Sequence, residues 1–226
     1  MTERTKYFVI EGLIGAGKTS CLQYLEGKVA ETVVINEPEH KYALYGNHNP
    51  LLLAYDDPHS NASMTQMHII RTACQHYARA VSEACATPGV KMVISDRSVL
   101  SPIVFIDTNH MRGVFSPFVA DFLKDELRRL SAFIPSPDGV IFLDASESLC
   151  LNRIHSRARY YESKCSISYL SDLRKKHLDL FKSMDIPVYI VHLTQDDTIR
   201  SVAIRVNDIL QQEMSADGVF SMVLDE

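Results

Sequence analysis

The stretch EGLIGAGKTS, residues 11–20, carries Gly12, Gly15, Ala16, Gly17, Lys18, Thr19 and Ser20 in the spacing G-x-x-x-x-G-K-[ST]. Glycines let several backbone N–H groups converge on one anion, and a helix start directly behind them favours negative charge. Lys18 then reaches the terminal phosphates, and the Thr19 hydroxyl is placed to ligate Mg²⁺. The chemistry implied is the binding of a nucleoside triphosphate with its magnesium. The loop does not name what receives the phosphate.

Three further polar groups supply candidates for the remaining roles. Glu37, in INEPEHKY, ends an apolar run, where a carboxylate suits taking the proton of an attacking hydroxyl. A solvated loop glutamate is the plainer alternative. SDRS (95–98) also follows an apolar run: Asp96 suits the metal shell and Arg97 a bridge between the catalytic carboxylate and the acceptor, against an ordinary surface ion pair. RIHSRARYYES (153–163) places Arg153 and Arg157 four apart on one helix face, with Arg159 just beyond. Three guanidinium groups pointing the same way repel unless an anion joins them. An arginine-rich segment closing over a triphosphate would spread transferring charge and exclude water; a solvated basic face is the alternative.

These groups need elements to hold them. The near-continuous apolar runs at 6–12, 32–38, 91–97, 139–145 and 186–193 suit strands buried on both faces. Between them lie helical patterns. In 64–86, Met67, Ile70, Cys74, Tyr77, Val81 and Ala84 recur at steps of three and four. Residues 116–130 open with Ser-Pro, a helix start, and 146–157, 167–184 and 197–213 also carry helical spacing. Strands alternating with helices predict an α/β architecture: a parallel five-stranded sheet flanked by helices, in the manner of nucleotide-binding phosphate-loop folds. The polar positions Gly12–Thr19, Glu37, Asp96–Arg97 and Asp144 then share the carboxyl edge, where such sheets bind ligands.

Composition sets the outer bounds. The 226 residues, 46% hydrophobic, suffice for one domain spanning 1–226. A net charge of −5 argues against wrapping a nucleic-acid polymer. No apolar run reaches membrane-span length and the first strand begins near Lys6, so a membrane partner and a targeting segment are not expected. Five widely spaced cysteines without C-x-x-C fit a reduced, cytoplasmic protein.

With these residues assembled, the chain resembles the deoxyribonucleoside kinase family, which includes the deoxycytidine, deoxyguanosine and mitochondrial-type thymidine kinases and the broad-specificity insect enzyme. The similarity runs from about residue 6 to 193 and keeps the order EGLIGAGKTS, Glu37-Pro38, LLLAYDDP (51–58), a glutamine in the next helix, DRS (96–98) and RxxxRARxxES (153–163). The resemblance implies transfer of phosphate from ATP, with Mg²⁺, to the 5′-hydroxyl of a deoxynucleoside in nucleotide salvage. It makes Glu37 the general base, with Arg97 holding it. It gives the 3′-hydroxyl to Tyr55 and Glu162, the base edge to Gln66, and base stacking to Phe105. Arg153, Arg157 and Arg159 become arginines of a lid spanning about 153–165, and Asp196 and Asp197 fall near the adenine of ATP. Tyr42 occupies a place usually held by tryptophan, and Asp96 one usually held by glutamate, which draws the carboxylate back from the metal. A charged pair that contacts the base in the deoxycytidine and deoxyguanosine kinases is replaced by Ala73 and Pro102, with Ile69 nearby, so the pocket looks more like those of the thymidine-accepting members. Homodimerisation is implied by the family. Two rivals remain: thymidylate kinase, whose usual arginine before Glu-Pro is Asn36 here, and a nucleotide-binding regulator without catalysis.

Overall fold

The computed structural model describes residues 4–215. Five strands, β1 (Lys6–Gly12), β2 (Thr32–Ile35), β3 (Met92–Asp96), β4 (Gly139–Ala145) and β5 (Val188–Leu193), form one parallel sheet in the order β2-β3-β1-β4-β5. Alternate residues of the central strands divide between two apolar layers, as the two-residue repeat of a strand requires. Phe8, Ile10, Ile94, Ile141 and Leu143 face one cluster; Tyr7, Val9, Val93, Val140 and Phe142 face the other.

The helices are α1 (Lys18–Leu25), α2 (Glu39–Tyr42), α3 (Pro50–Asp56), α4 (Pro58–Ala86), α5 (Ser101–Met111), α6 (Pro117–Ser131), α7 (Glu147–Arg157), α8 (Ile167–Phe181) and α9 (Ile199–Ser215), with a 3₁₀ turn at Tyr160–Glu162. The α/β expectation holds, with three differences. The run at 186–193 is not buried on both faces: β5 lies at the sheet edge and leaves Ile190 46% exposed. The run at 32–38 stops pairing at Ile35, before Pro38, and the Asn36 carbonyl accepts instead from His76 Nε2 of α4. Helix α4 begins at Pro58 rather than 64, because the Asp57 side chain accepts from Ser60 N and Pro58 takes the first helical position.

The three strands that carry chemistry are neighbours. The loop after β1, Asp96 and Arg97 at the end of β3, and Glu37 just beyond β2 line up along one carboxyl edge. Asp144, at the same edge of β4, does not join them: it pairs bidentately with Arg174 at 2.7 and 2.8 Å and with His192.

Candidate active site

The loop between β1 and α1 needs glycine for shape. Gly15 (φ +82) and Gly17 (φ +100) sit in the left-handed region, and a Cβ on Gly15 would stand 2.6 Å from the Cys150 carbonyl of α7. Lys18 Nζ donates to the carbonyls of Gly12 (3.1 Å) and Leu13 (2.9 Å), so its ammonium lies across the loop mouth. Burial lowers Lys18 to about 8, with Arg97 adding to the shift and Asp96, Glu37 and Glu11 resisting it. Gly15, Ala16, Gly17, Lys18, Thr19 and Ser20 line one cavity of about 360 Å³ together with Arg153, Arg157 and Asp197. This is the side on which the sequence places the phosphate donor.

A second cavity, about 320 Å³, opens on the other side of Lys18 and Thr19. Its walls include Glu37, Tyr42, Tyr55, Gln66, Arg97, Phe105 and Glu162, so every residue expected at the acceptor borders one space. Gln66 is buried on the cavity wall and its Nε2 has no hydrogen-bond partner among the described residues, which leaves an amide donor available to whatever fills the cavity. Phe105 lies on the wall while Ile106 is buried in the core behind it. Pro102 and Ile69 also line the space, whereas Ala73 is packed into the core.

Glu37 lines this second cavity together with Lys18 and Thr19, which border both cavities. Arg97 Nε approaches its Oε2 at 3.2 Å. Burial pushes the Glu37 carboxyl up, Arg97 pulls it down and Asp96 pushes it up again, leaving it at about 7. Arg97 itself has φ +60, a left-handed conformation costing a non-glycine residue roughly 1–2 kcal/mol. Its N–H donates to Ile10 O at 3.0 Å, and its carbonyl accepts from Ser95 Oγ at 2.7 Å. The backbone is thus pinned in the one conformation that turns the guanidinium out of the strand and towards Glu37.

Asp96 is the carboxylate placed to meet a metal. Its carboxylate is fully buried; Oδ2 accepts the Thr19 hydroxyl and Oδ1 has no hydrogen-bond partner among the described residues. A buried anionic oxygen facing a threonine hydroxyl beside the phosphate loop fits a Mg²⁺ ligand set, even with the shorter aspartate. Among the described residues no group of three His, Cys, Asp or Glu forms a cation cage; magnesium that arrives with a triphosphate needs only one or two protein ligands.

The arginines depart from expectation. They do not point together at one anion. Arg153 donates to the Ala16 carbonyl at 2.9 Å, Arg157 grips Glu162 through two bonds of 2.8 and 2.5 Å, and Arg159 pairs with Glu39 at 2.6 Å. Repulsion is relieved here by carboxylates of the protein: Glu39 takes Arg159, and Glu162 holds Arg157 while also lying 3.7 Å from Arg159. Arg153 and Arg157 border the donor cavity, and Arg157 and Arg159 the acceptor cavity. Asp197 is spent on its own loop: it accepts from Thr194 N and pairs with Arg205. Sequence reasoning passed over Glu39 and Tyr161, whose hydroxyl donates to Glu39, and over Glu11. Glu11 carried a signal, the one carboxylate in the apolar run KYFVIEG.

Residues 8–216 match the sequence model of the family described as deoxynucleoside kinase. The chain belongs to the deoxynucleoside kinase family. It is similar to a deoxyguanosine kinase of Dictyostelium discoideum (30% identity, covering 90% of this chain and 70% of the relative). It is similar also to a probable deoxycytidine kinase of fowlpox virus (29%, 78% and 72%) and to the mitochondrial thymidine kinase 2 of human (26%, 77% and 64%). Membership makes this deoxynucleoside kinase an enzyme that phosphorylates deoxynucleosides with ATP as donor. A regulator without catalysis is thereby displaced as a reading.

Proposed function

We propose that this kinase phosphorylates the 5′-hydroxyl of deoxyribonucleosides with a preference for pyrimidines, thymidine foremost. The observation that carries this reading is the acceptor cavity: a buried Gln66 amide with an unpaired donor at the base end, apolar Ile69 and Pro102 beside it, and Glu37 at the end facing the phosphate loop. Neither Ile69 nor Pro102 offers a charged partner to a base, and a glutamine alone reads a pyrimidine edge through its paired donor and acceptor. The relatives' names span guanosine, cytidine and thymidine, so the preference rests on this pocket.

In the proposed reaction Tyr55 and Glu162 hold the sugar edge, Phe105 and Tyr42 cover the base, and Glu37 takes the 5′-hydroxyl proton as the oxygen attacks the γ-phosphorus. A carboxyl at about 7 is well matched to accept that proton near neutral pH. Arg97 keeps the carboxylate aimed, and Lys18 meets the terminal phosphates. Thr19 and Asp96 would hold Mg²⁺, which supplies charge neutralisation on the phosphates when bound. Segment 153–165 acts as a lid: Arg157 and Arg159 exchange Glu162 and Glu39 for the triphosphate, and Arg153 stays over the loop. One catalytic domain over 1–226 belongs to the same reading, though its ends lie outside the described residues.

A homodimer is supported by Phe118 and Phe122, which stack at 6.5 Å on the exposed side of α6. No helix among the described residues is long and apolar enough to cross a membrane. The five unpaired cysteines support a reducing, cytoplasmic setting. A nucleic-acid polymer is not among the proposed partners.

A panel of thymidine, deoxycytidine, deoxyuridine, deoxyadenosine, deoxyguanosine and thymidine monophosphate with MgATP tests the proposal. Thymidine 5′-monophosphate as the leading product supports it. A purine ahead of both pyrimidines overturns the preference, and turnover of thymidine monophosphate alone would make the enzyme a monophosphate kinase.

A further inference from the structure

Behind Arg97 lies a carboxylate with no assigned task. Glu11 is the sixth residue of central strand β1 and is 1% exposed. Ser101 Oγ contacts both of its oxygens, at 2.8 and 2.7 Å, and Ser98 Oγ donates to Oε1 at 3.1 Å. Arg97 Nη1 approaches Oε2 at 3.7 Å and the Ser101 hydroxyl at 3.4 Å. On the far side His177 of α8 faces Oε2 through Nε2 at 3.8 Å, while its Nδ1 bonds the Leu173 carbonyl at 2.9 Å. His177 is itself fixed between Phe142 and Phe181.

An ionised group buried in a sheet is costly, and an apolar residue of similar size would commonly serve stability as well or better. Glu11 therefore needs a reason besides folding. The guanidinium of Arg97 lies between two carboxylates, Nη1 towards buried Glu11 and Nε towards Glu37 on the wall of the acceptor cavity. With Glu11 absent, Glu37 and Asp96 would be the anions left to balance Arg97. The guanidinium would then settle onto Glu37 and hold the lone pair that the reaction uses. Burial would raise the Glu11 carboxyl, but His177, Arg97 and Ser101 keep it below its usual range, so it remains an anion.

We propose that Glu11 is a positioning residue for phosphoryl transfer: clamped by the hydroxyls of Ser98 and Ser101 and faced by His177, it holds the inner half of the Arg97 guanidinium so that Arg97 orients Glu37 without capturing it. The inference rests on the role given above to Arg97 and Glu37, and deepens it.

The test is a double-mutant cycle on the full chain, with MgATP and the deoxynucleoside turned over fastest. Glu11→Gln keeps the shape and removes the charge; Arg97→Lys keeps a charge and removes the two-sided fork. Glu11→Gln is expected to lower kcat about 30-fold while the KM for ATP stays within about twofold, with circular dichroism unchanged. In an Arg97→Lys background the same change is expected to cost less than about threefold, because its effect passes through the missing fork. A loss that is equally large in both backgrounds, or a folded Glu11→Gln enzyme within about threefold of the parent, overturns the proposal. If Glu11→Gln does not fold, Ser101→Ala takes its place in the cycle, and independence of its effect from Arg97→Lys is equally fatal. Parent-like activity of Arg97→Lys alone would instead refute the role of Arg97; a crippled Arg97→Lys beside an unaffected Glu11→Gln refutes only the role of Glu11.

Discussion

In the proposed reaction the protonation of Glu37 sets a rate that pH can move. A general base works only when deprotonated, and burial, partly opposed by Arg97 and assisted by Asp96, holds this carboxyl at about 7 instead of the ordinary 4.5. Raising the pH through 7 therefore empties the proton from Glu37 and increases activity; lowering it does the reverse. With one proton involved, kcat/KM falls about tenfold per pH unit below 7, so the value at pH 5 is expected to lie roughly 100-fold below the plateau. An unperturbed carboxylate would have lost only about a quarter of its base form at pH 5. The assay is initial velocity with both substrates below saturation and Mg²⁺ in excess, from pH 5 to 7.5, below the point at about 8 where Lys18 loses its own charge, since kcat/KM reports the free enzyme. The limb is expected to vanish from the residual activity of Glu37→Gln. A profile flat down to pH 5.5, or an acid limb unchanged in Glu37→Gln, would refute the assignment of the limb to this residue.

Other perturbations follow from the same geometry. Gln66→Ala removes a buried amide whose donor awaits a base, a loss of about 1–3 kcal/mol, so the nucleoside KM should rise roughly tenfold or more with the KM for ATP unchanged. Gly15→Ala forces a left-handed φ on alanine and drives Cβ against the Cys150 carbonyl; calorimetry should show a thermal midpoint lower by about 2–8 °C or more, with ATP binding weakened. Asp96→Asn keeps the Thr19 contact but removes the charge, so the free Mg²⁺ giving half-maximal rate should rise about tenfold in a magnesium titration. Removing both partners of the lid arginines, by Glu39→Gln with Glu162→Gln, should weaken the nucleoside through loss of the sugar contact while leaving ATP affinity equal or tighter, as titration calorimetry would show.

The phosphate loop and the strand ends were legible in sequence because each rests on local chemistry. Glycines before Lys18-Thr19 and apolar runs closed by Glu37 and Asp96 are short-range signals, and they mark the correct sheet edge. Helix α5 was not legible: SPIVFI is apolar on nearly every side because the helix is buried, so no one-sided stripe appears. The pairing of Arg157 with Glu162 and of Arg159 with Glu39 was not legible either. The first depends on the left-handed turn at Ala158 that folds the chain back after α7, the second on α2, more than a hundred residues earlier in the chain. Glu11 stood in plain view, yet its meaning needed Ser101 and His177, brought to it by two helices distant in sequence.

The central claim is that Glu37 accepts the proton of the attacking sugar hydroxyl. Rapid-quench turnover of Glu37→Gln with thymidine and MgATP, beside a direct measurement of ATP affinity, tests it most directly. The expected result is a phosphoryl-transfer rate lower by at least about 100-fold, the usual range for loss of a general base, with ATP affinity within about twofold of the parent. A Glu37→Gln enzyme that transfers phosphate within about threefold of the parent rate would contradict it.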